Sequence, residues 1–237
     1  MNGIDGLVWW RFHGFALRES LALSMIVAAM LVTIALTARE LMKRGAPAAG
    51  RPRMLVEASY LAMRGAVAEV VPREHVAGVL PFIATLWLFI LFCNLIGLVP
   101  GLASPTGDLS VTAALALIVF VAVHTYGIRA AGLRGYLRHY LAPSPILLPF
   151  ELVSEITRTL ALAIRLFGNI MSLEMAAMLV LLVAGLLVPV PLLLLHVIEA
   201  LVQAYIFGML ALIYVGSALE ASRPDAADGA LAHQEDS

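Results

Sequence analysis

Charge and cysteine are what this chain has least of. Only 13% of its 237 residues are Asp, Glu, Lys or Arg, against about 25% in an ordinary soluble domain. The one cysteine, Cys93, lies inside an apolar run, which leaves no disulfide framework and no cysteine-based metal cluster. There is no basic excess, 15 Lys and Arg standing against 16 Asp and Glu, so nucleic acid is not an expected partner. No glycine-rich phosphate loop occurs, and with it goes any reason to bind nucleotide. Internal repeats are missing too, which removes the support that an inverted-repeat transporter would need. Met1–Trp10 holds Asp5 and no Lys or Arg, and the apolar run that follows is too long for the core of a cleavable signal.

What is there is apolar: 62% of residues are hydrophobic and the mean hydropathy is +0.95. A single soluble core has no way to cover that much apolar surface. The expectation is an all-α, polytopic membrane protein forming a single integral membrane domain over residues 1–237. A spanning helix needs about 20 mostly apolar residues. Leu21–Ala38, Val76–Pro100 and Leu109–Ile128 meet that requirement, and Phe150–Leu186 and Pro189–Leu219 are longer still, giving five membrane segments. Pro100-Gly101 stops the second, and Ser104–Asp108 reads as a tight turn. Arg51–His75 has a partly amphipathic pattern interrupted by Gly65, either an interfacial helix or a helical lead into the second span, the latter being the simpler reading.

Orientation follows from the basic residues. The loop over residues 39–75 carries Arg39, Lys43, Arg44, Arg51, Arg53, Arg64 and Arg73, and the stretch after the third span carries Arg129, Arg134 and Arg138. The turns at Ser104–Asp108 and near Val188–Pro191 carry none. Five spans then put the N-terminal segment, residues 1–20, outside and the C-terminus inside, with residues 221–237 a polar, frayed tail.

Ionisable residues at membrane depth are costly and by default mark an ion pathway or proton relay. Here they gather in the last two segments, residues 150–219: Arg158, Arg165 and Glu174 in one, His196 and Glu199 in the other, with Glu151 and Glu155 near the cytoplasmic start. At about 100° per residue, Arg158, Arg165, Asn169 and Ser172 share one stripe, whereas Glu174 falls on the opposite face roughly 13 Å further out. His196, Glu199 and Gln203 form a single stripe on the last segment. A turn near Leu186–Val188 sets Glu174 across from about Glu199, with Arg165 deeper; a turn nearer Gly185 would instead bring Gln203 beside Arg165. One straight helix over residues 150–186 is roughly 55 Å long, against a hydrocarbon core of about 30 Å. It must break near Gly168-Asn169 or lie very obliquely, and oblique arms are the expectation.

At Arg165-Leu166-Phe167-Gly168-Asn169 the chain resembles subunit a of the F-type ATP synthase membrane sector, the stator channel beside a rotating c-ring. Phe92–Pro100 is similar to that family's second-helix motif, Glu151 and Arg158 to an acidic and a basic residue before its essential arginine, and His196 with Gln203–Phe207 to its last-helix pattern. The resemblance covers most of the chain from Pro72 to Leu219. It implies that Arg165 is the arginine facing the c-ring carboxylates, and that Glu174, His196, Gln203 and Asn169 belong to the outer half-channel. Glu199, one turn from His196, joins them on geometry alone; Glu151, Arg158 and Asn94 are supporting positions. The implied partners are the c-ring, peripheral-stalk b subunits, the whole ATP synthase complex, the bilayer of a bacterial plasma membrane, and protons or sodium ions. No metal or cofactor is implied, and this chain would be a non-catalytic channel subunit. It departs from the family at Thr159 and Ala161, where Pro and a Ser-Leu alternation are frequent, and at Leu173, where a small residue is frequent. The first departure relaxes the start of the helix; the second narrows or dries the channel near Glu174.

Each residue also has a plainer role. Arg158 and Glu151 could be snorkelling anchors, and Gln203, Asn169 and Asn94 could be interhelical glue. His124, alone in the third span, is read as structural. A secondary transporter using Arg165, Glu174 and His196 as a relay is the alternative. A metalloenzyme built on His196 and Glu199 lacks both HExxH and a third ligand.

Overall fold

A computed structural model describes residues 8–12, 15–43, 50–99, 102–141, 148–184 and 189–220. Among these residues there are six α-helices: α1 (Glu19–Lys43), α2 (Gly50–Val70), α3 (Val76–Ile96), α4 (Leu109–Leu141), α5 (Leu148–Ala184) and α6 (Pro189–Glu220). Five of them, all but α2, are long and apolar enough to cross a membrane. The fold is thus all-helical, apart from a short antiparallel ribbon, β1 (Val8–Phe12) paired with β2 (Phe15–Arg18), ahead of α1.

The core lies where α3, α4, α5 and α6 meet. Ile83 and Ile90 of α3, Val119 of α4, Leu162 and Leu166 of α5, and Phe207, Leu212 and Val215 of α6 are all sealed from outside. α1 is peripheral: only Leu23 and Val27 of its described side chains are buried. Lipid is as apolar as leucine, so membrane helices associate through close packing, which favours small residues at their contacts. α6 supplies them at Ala200, Ala204 and Gly208, one per turn and all buried. A Cβ on Gly208 would overlap the Trp87 indole of α3, and one on Gly216 would lie 3.1 Å from the Val70 carbonyl oxygen of α2. The Trp87 indole N–H donates to the Tyr205 carbonyl at 3.3 Å, so the ring that fills the glycine's space is also satisfied as a donor.

Several boundaries differ from those read off the sequence. α2 is a separate helix, uninterrupted at Gly65 and closed before Pro72, so it is not a continuous lead into α3. A proline biases the residue before it away from helix, and the turn at residues 72–75 redirects the chain. α4 does not stop at Ile128 but runs on to Leu141, bending at Gly132, whose φ of 72° and ψ of 158° suit glycine alone. That bend returns Tyr136 onto Gly127, where a Cβ would overlap its ring, with the His124 ring 6.0 Å away. α5 is one helix of 37 residues without a break at Gly168-Asn169, as the oblique-arm expectation required. The turn at residues 186–188, the stop at Pro100-Gly101, Arg44 and the 221–237 tail lie outside the described residues.

Candidate functional site

Asn169 of α5 donates its side-chain amide N–H to Oε1 of Gln203 on α6 at 2.8 Å. Eleven residues back along α5, the Arg158 guanidinium lies 4.6 Å from the centroid of the Tyr214 ring, which is eleven residues on along α6. Two contacts at equal spacing define one register for the antiparallel pair. In that register Arg165 stands level with Phe207, and Glu174 with Ile198. Glu174 is thus one residue from the level expected opposite Glu199, and Gln203 lies one helical turn from the level of Arg165. It is Asn169, one turn further along, that meets Gln203.

Arg165 itself is exposed and has no hydrogen-bond or ion-pair partner among the described residues. Around it α5 presents apolar side chains outward, Leu160 and Ile164 at more than half exposure. Behind it Leu162, Ala163 and Leu166 fill the core. Local sequence explains the arrangement: buried residues recur at 162, 163, 166, 170 and 173, the spacing of one helical face, and Arg165 falls just off it. The Glu174 side chain lies outside the described residues.

On α6 the stripe divides as its chemistry demands. His196 and Gln203 are buried, at 5% and 1% exposure, while Glu199 between them is half-buried. The His196 ring reaches the C-terminal cap of α3: Nε2 is 3.5 Å from where a Cβ on Gly97 would sit, and that same point is 3.0 Å from Cβ of Ser104. Here a second polar group appears. The Thr106 hydroxyl donates to Oδ1 of the fully buried Asn94 at 2.5 Å, Ser104 Oγ donates to the Cys93 carbonyl at 3.0 Å, and the two hydroxyls are 2.7 Å apart with either as donor. Two hydroxyl protons are shared among these three contacts, so either hydroxyl can turn from its carbonyl acceptor to the other hydroxyl.

Among the described residues, three buried nitrogens, Asn94 Nδ2, His196 Nε2 and Gln203 Nε2, have no hydrogen-bond partner. A dry, unpaired buried polar group costs about 1–3 kcal/mol, and these three suit sites that take up water. A cavity of about 300 Å³ flanks the same turn, walled in part by Ser20, Ser24, Asp108 and Ser110. The Ser20 hydroxyl donates to Asp108 at 2.6 Å, tying the start of α1 to this wall. At the far end of α5, Glu155 lies 3.6 Å from Arg158, and Glu151 is exposed. Among the described residues no three His, Cys, Asp or Glu side chains gather closely enough to hold a metal ion.

Sequence reasoning missed Ser104, Thr106 and Tyr214. The hydroxyls flank Pro105 in what reads as an ordinary turn, and only the 3-10 fold at Pro105–Gly107, which buries Thr106 completely, turns them inward. The stripe arithmetic already carried Arg158; its partner on α6 needed the register.

Comparison with known proteins adds a further finding. The family model described as ATP synthase A chain matches residues 21–216. "ATP synthase subunit a 1" of Hahella chejuensis is 53% identical over 92% of this chain and 92% of its own length. "ATP synthase subunit a" of Legionella pneumophila is 60% identical over 71% of this chain and 73% of its own length. "ATP synthase subunit a 2" of Pelobacter propionicus is 63% identical over the same shares.

Proposed function

This chain belongs to the ATP synthase A chain family, and from that premise we propose how its residues perform the work of an ATP synthase membrane stator. It is a multi-pass membrane protein of the ATP synthase complex. The exposed face of α5 around Arg165 meets the ring of rotor c subunits, and peripheral-stalk b subunits hold the stator in place. The basic residues of segments 39–75 and 129–138 support a cytoplasmic C-terminus and an N-terminus outside, in a bacterial plasma membrane.

The observation that carries the reading is the exposed guanidinium of Arg165, without a partner among the described residues and flanked by the exposed apolar side chains of Leu160 and Ile164. A bare charge at that depth is costly, and a carboxylate brought past it from another chain is the group that would relieve it. Such a rotor carboxylate crosses lipid protonated. Beside the guanidinium its charged form is favoured, its pKa falls and its proton leaves. Arginine suits this role because it does not deprotonate, whereas a buried lysine can. The same fixed charge bars protons from leaking straight between the two half-channels.

Glu174, His196, Glu199, Gln203 and Asn169 form the outer half-channel, with Asn94, Ser104 and Thr106 as its opposite wall and the Asp108 cavity as its approach. Carboxyl, imidazole and hydroxyl groups can each exchange donor and acceptor roles, and the three unpaired nitrogens support water between them. Glu151 and Arg158 are supporting residues at the inner end. The secondary-transporter alternative is set aside by family membership.

The test is Arg165→Ala in a complex shown to assemble with its rotor and catalytic head. ATP-driven acidification of inverted vesicles is followed with and without sodium and a protonophore. Pumping is expected to stop while assembly persists, and sodium dependence of the unmutated complex would name sodium as the ion. Normal coupled pumping without the guanidinium overturns the assignment.

A further inference from the structure

We infer that Tyr214 is a positioning residue for Arg165, acting through Arg158; the inference rests on the stator reading above. Arg165 is exposed and unpartnered among the described residues, so nothing of its own fixes where its guanidinium points. Its direction is set by the rotation of α5 about its axis. A roll of about 20° at a radius of about 6 Å moves the outer part of a side chain by roughly 2 Å, and misplacement of about 1 Å can cost a charge-stabilised step 100-fold.

The buried face at Leu162, Leu166 and Ile170 limits that roll, and two ties between α5 and α6 refine it. One is the Asn169–Gln203 hydrogen bond, one turn beyond Arg165. A single bond lets a helix pivot about it. The other is the Arg158 guanidinium over the Tyr214 ring at 4.6 Å, two turns before Arg165 and well within the distance of about 6 Å at which a cation is held by an aromatic face. Arg158 and Arg165 are seven residues apart, so their directions differ by only about 20°. Whatever holds the first therefore sets the azimuth of the second.

Glu155 completes the device. Its carboxylate lies 3.6 Å from Arg158 and is only 13% exposed. Being on the same helix, it cannot orient α5 against α6. It fixes the rotamer of Arg158, and a long flexible side chain becomes a short tie to the ring. Arg158 is thus aimed across the hairpin at α6, which is not the posture of an anchor reaching along its own helix towards the headgroups.

The test compares Tyr214→Leu with Tyr214→Phe, and Arg158→Gln with Arg158→Lys, in the assembled complex in inverted vesicles. Tyr214→Leu and Arg158→Gln should each lower ATP-driven acidification roughly tenfold and raise passive proton leak through vesicles stripped of the catalytic head, with subunit content unchanged. Tyr214→Phe keeps the ring face and Arg158→Lys keeps the cation, so both should pump within about twofold of the unmutated complex. The Arg158→Gln/Tyr214→Leu pair should be no worse than either change alone, because both remove one contact.

Normal pumping by Tyr214→Leu, equal loss in Tyr214→Phe, or additive losses in the pair would each overturn the inference. If Tyr214→Leu does not assemble, Arg158→Gln against Arg158→Lys decides by the same criteria. Arg165→Ala run alongside separates the two levels. If it still pumps, the stator reading fails; if it stops while Tyr214→Leu pumps normally, only the positioning role falls.

Discussion

The Trp87 indole of α3 occupies the space that a side chain on Gly208 of α6 would need. The ring stacks nearly parallel to Tyr205, 6.4 Å between centroids and 9° between planes, while its N–H bonds the Tyr205 carbonyl. A glycine inside a helix ordinarily costs about 0.5–1 kcal/mol relative to alanine. Here that cost is offset by the contact that brings α3 and α6 together.

Gly208→Ala is therefore expected to destabilise, opposite to its effect on an isolated helix. Overpacking of this kind costs about 1–3 kcal/mol. Thermal unfolding of the detergent-purified complex measures it, and Trp87→Phe in the Gly208→Ala background should recover part of the loss by shortening the ring. Unchanged stability in Gly208→Ala would show that α3 and α6 can separate at this point without cost.

The bond between Asn169 and Gln203 calls for a double-mutant cycle. Interhelical hydrogen bonds in membranes average about 0.6 kcal/mol and reach about 1.7 kcal/mol. Replacing either residue by leucine should raise the free-energy barrier to ATP-driven pumping, and the double variant should fall short of the sum by about that coupling. Gln203→Leu should be the more severe single change, since Gln203 is 1% exposed whereas Asn169 is exposed. Strictly additive losses would mean that the two side chains work independently.

How much of this was legible beforehand depends on the kind of information each feature needs. Five spans and the excess length of α5 follow from apolar run length, which is local. The level of Arg165 relative to Gln203 hangs on the position of the hairpin turn, and shifting that turn by about two residues exchanges Asn169 for Arg165 as the partner of Gln203. Sequence could bound the register to one helical turn and no better. Thr106 and Ser104 were hidden for another reason: a hydroxyl in a Pro-Thr-Gly turn reads as solvated, and its burial against Asn94 is decided by how α3 and α4 dock. Gly132 was hidden because apolar periodicity weakens after Ile128, so the helix that continues through the bend leaves no amphipathic trace.

Thr106→Val removes one hydroxyl from that wall at nearly constant volume. Oδ1 of Asn94 then loses its donor in a fully buried place, a change that costs about 1–3 kcal/mol. Proton conduction through vesicles stripped of the catalytic head should fall, and Thr106→Ser, which retains the hydroxyl, should conduct as the unmutated protein does. A Thr106→Val complex that is destabilised yet conducts normally would leave Thr106 with a packing role and remove it from the pathway.

Two glycines in helices should respond oppositely to the same substitution. Gly65 in α2 has open space where a Cβ would go and an ordinary helical backbone, so Gly65→Ala should stabilise by about 0.4–1 kcal/mol through the unfolded chain. Gly132 also has open space, but its φ of 72° and ψ of 158° put it where a Cβ strains the backbone, at a cost of about 1–3 kcal/mol. Steric room is equal at the two positions, so the difference isolates backbone conformation. Relief of the strain would straighten α4 and lift Tyr136 from Gly127, which fluorescence quenching of a Tyr136→Trp reporter can follow. Gly132→Ala with unchanged unfolding temperature and an unmoved reporter would show that the bend is held by other contacts and that the glycine is dispensable.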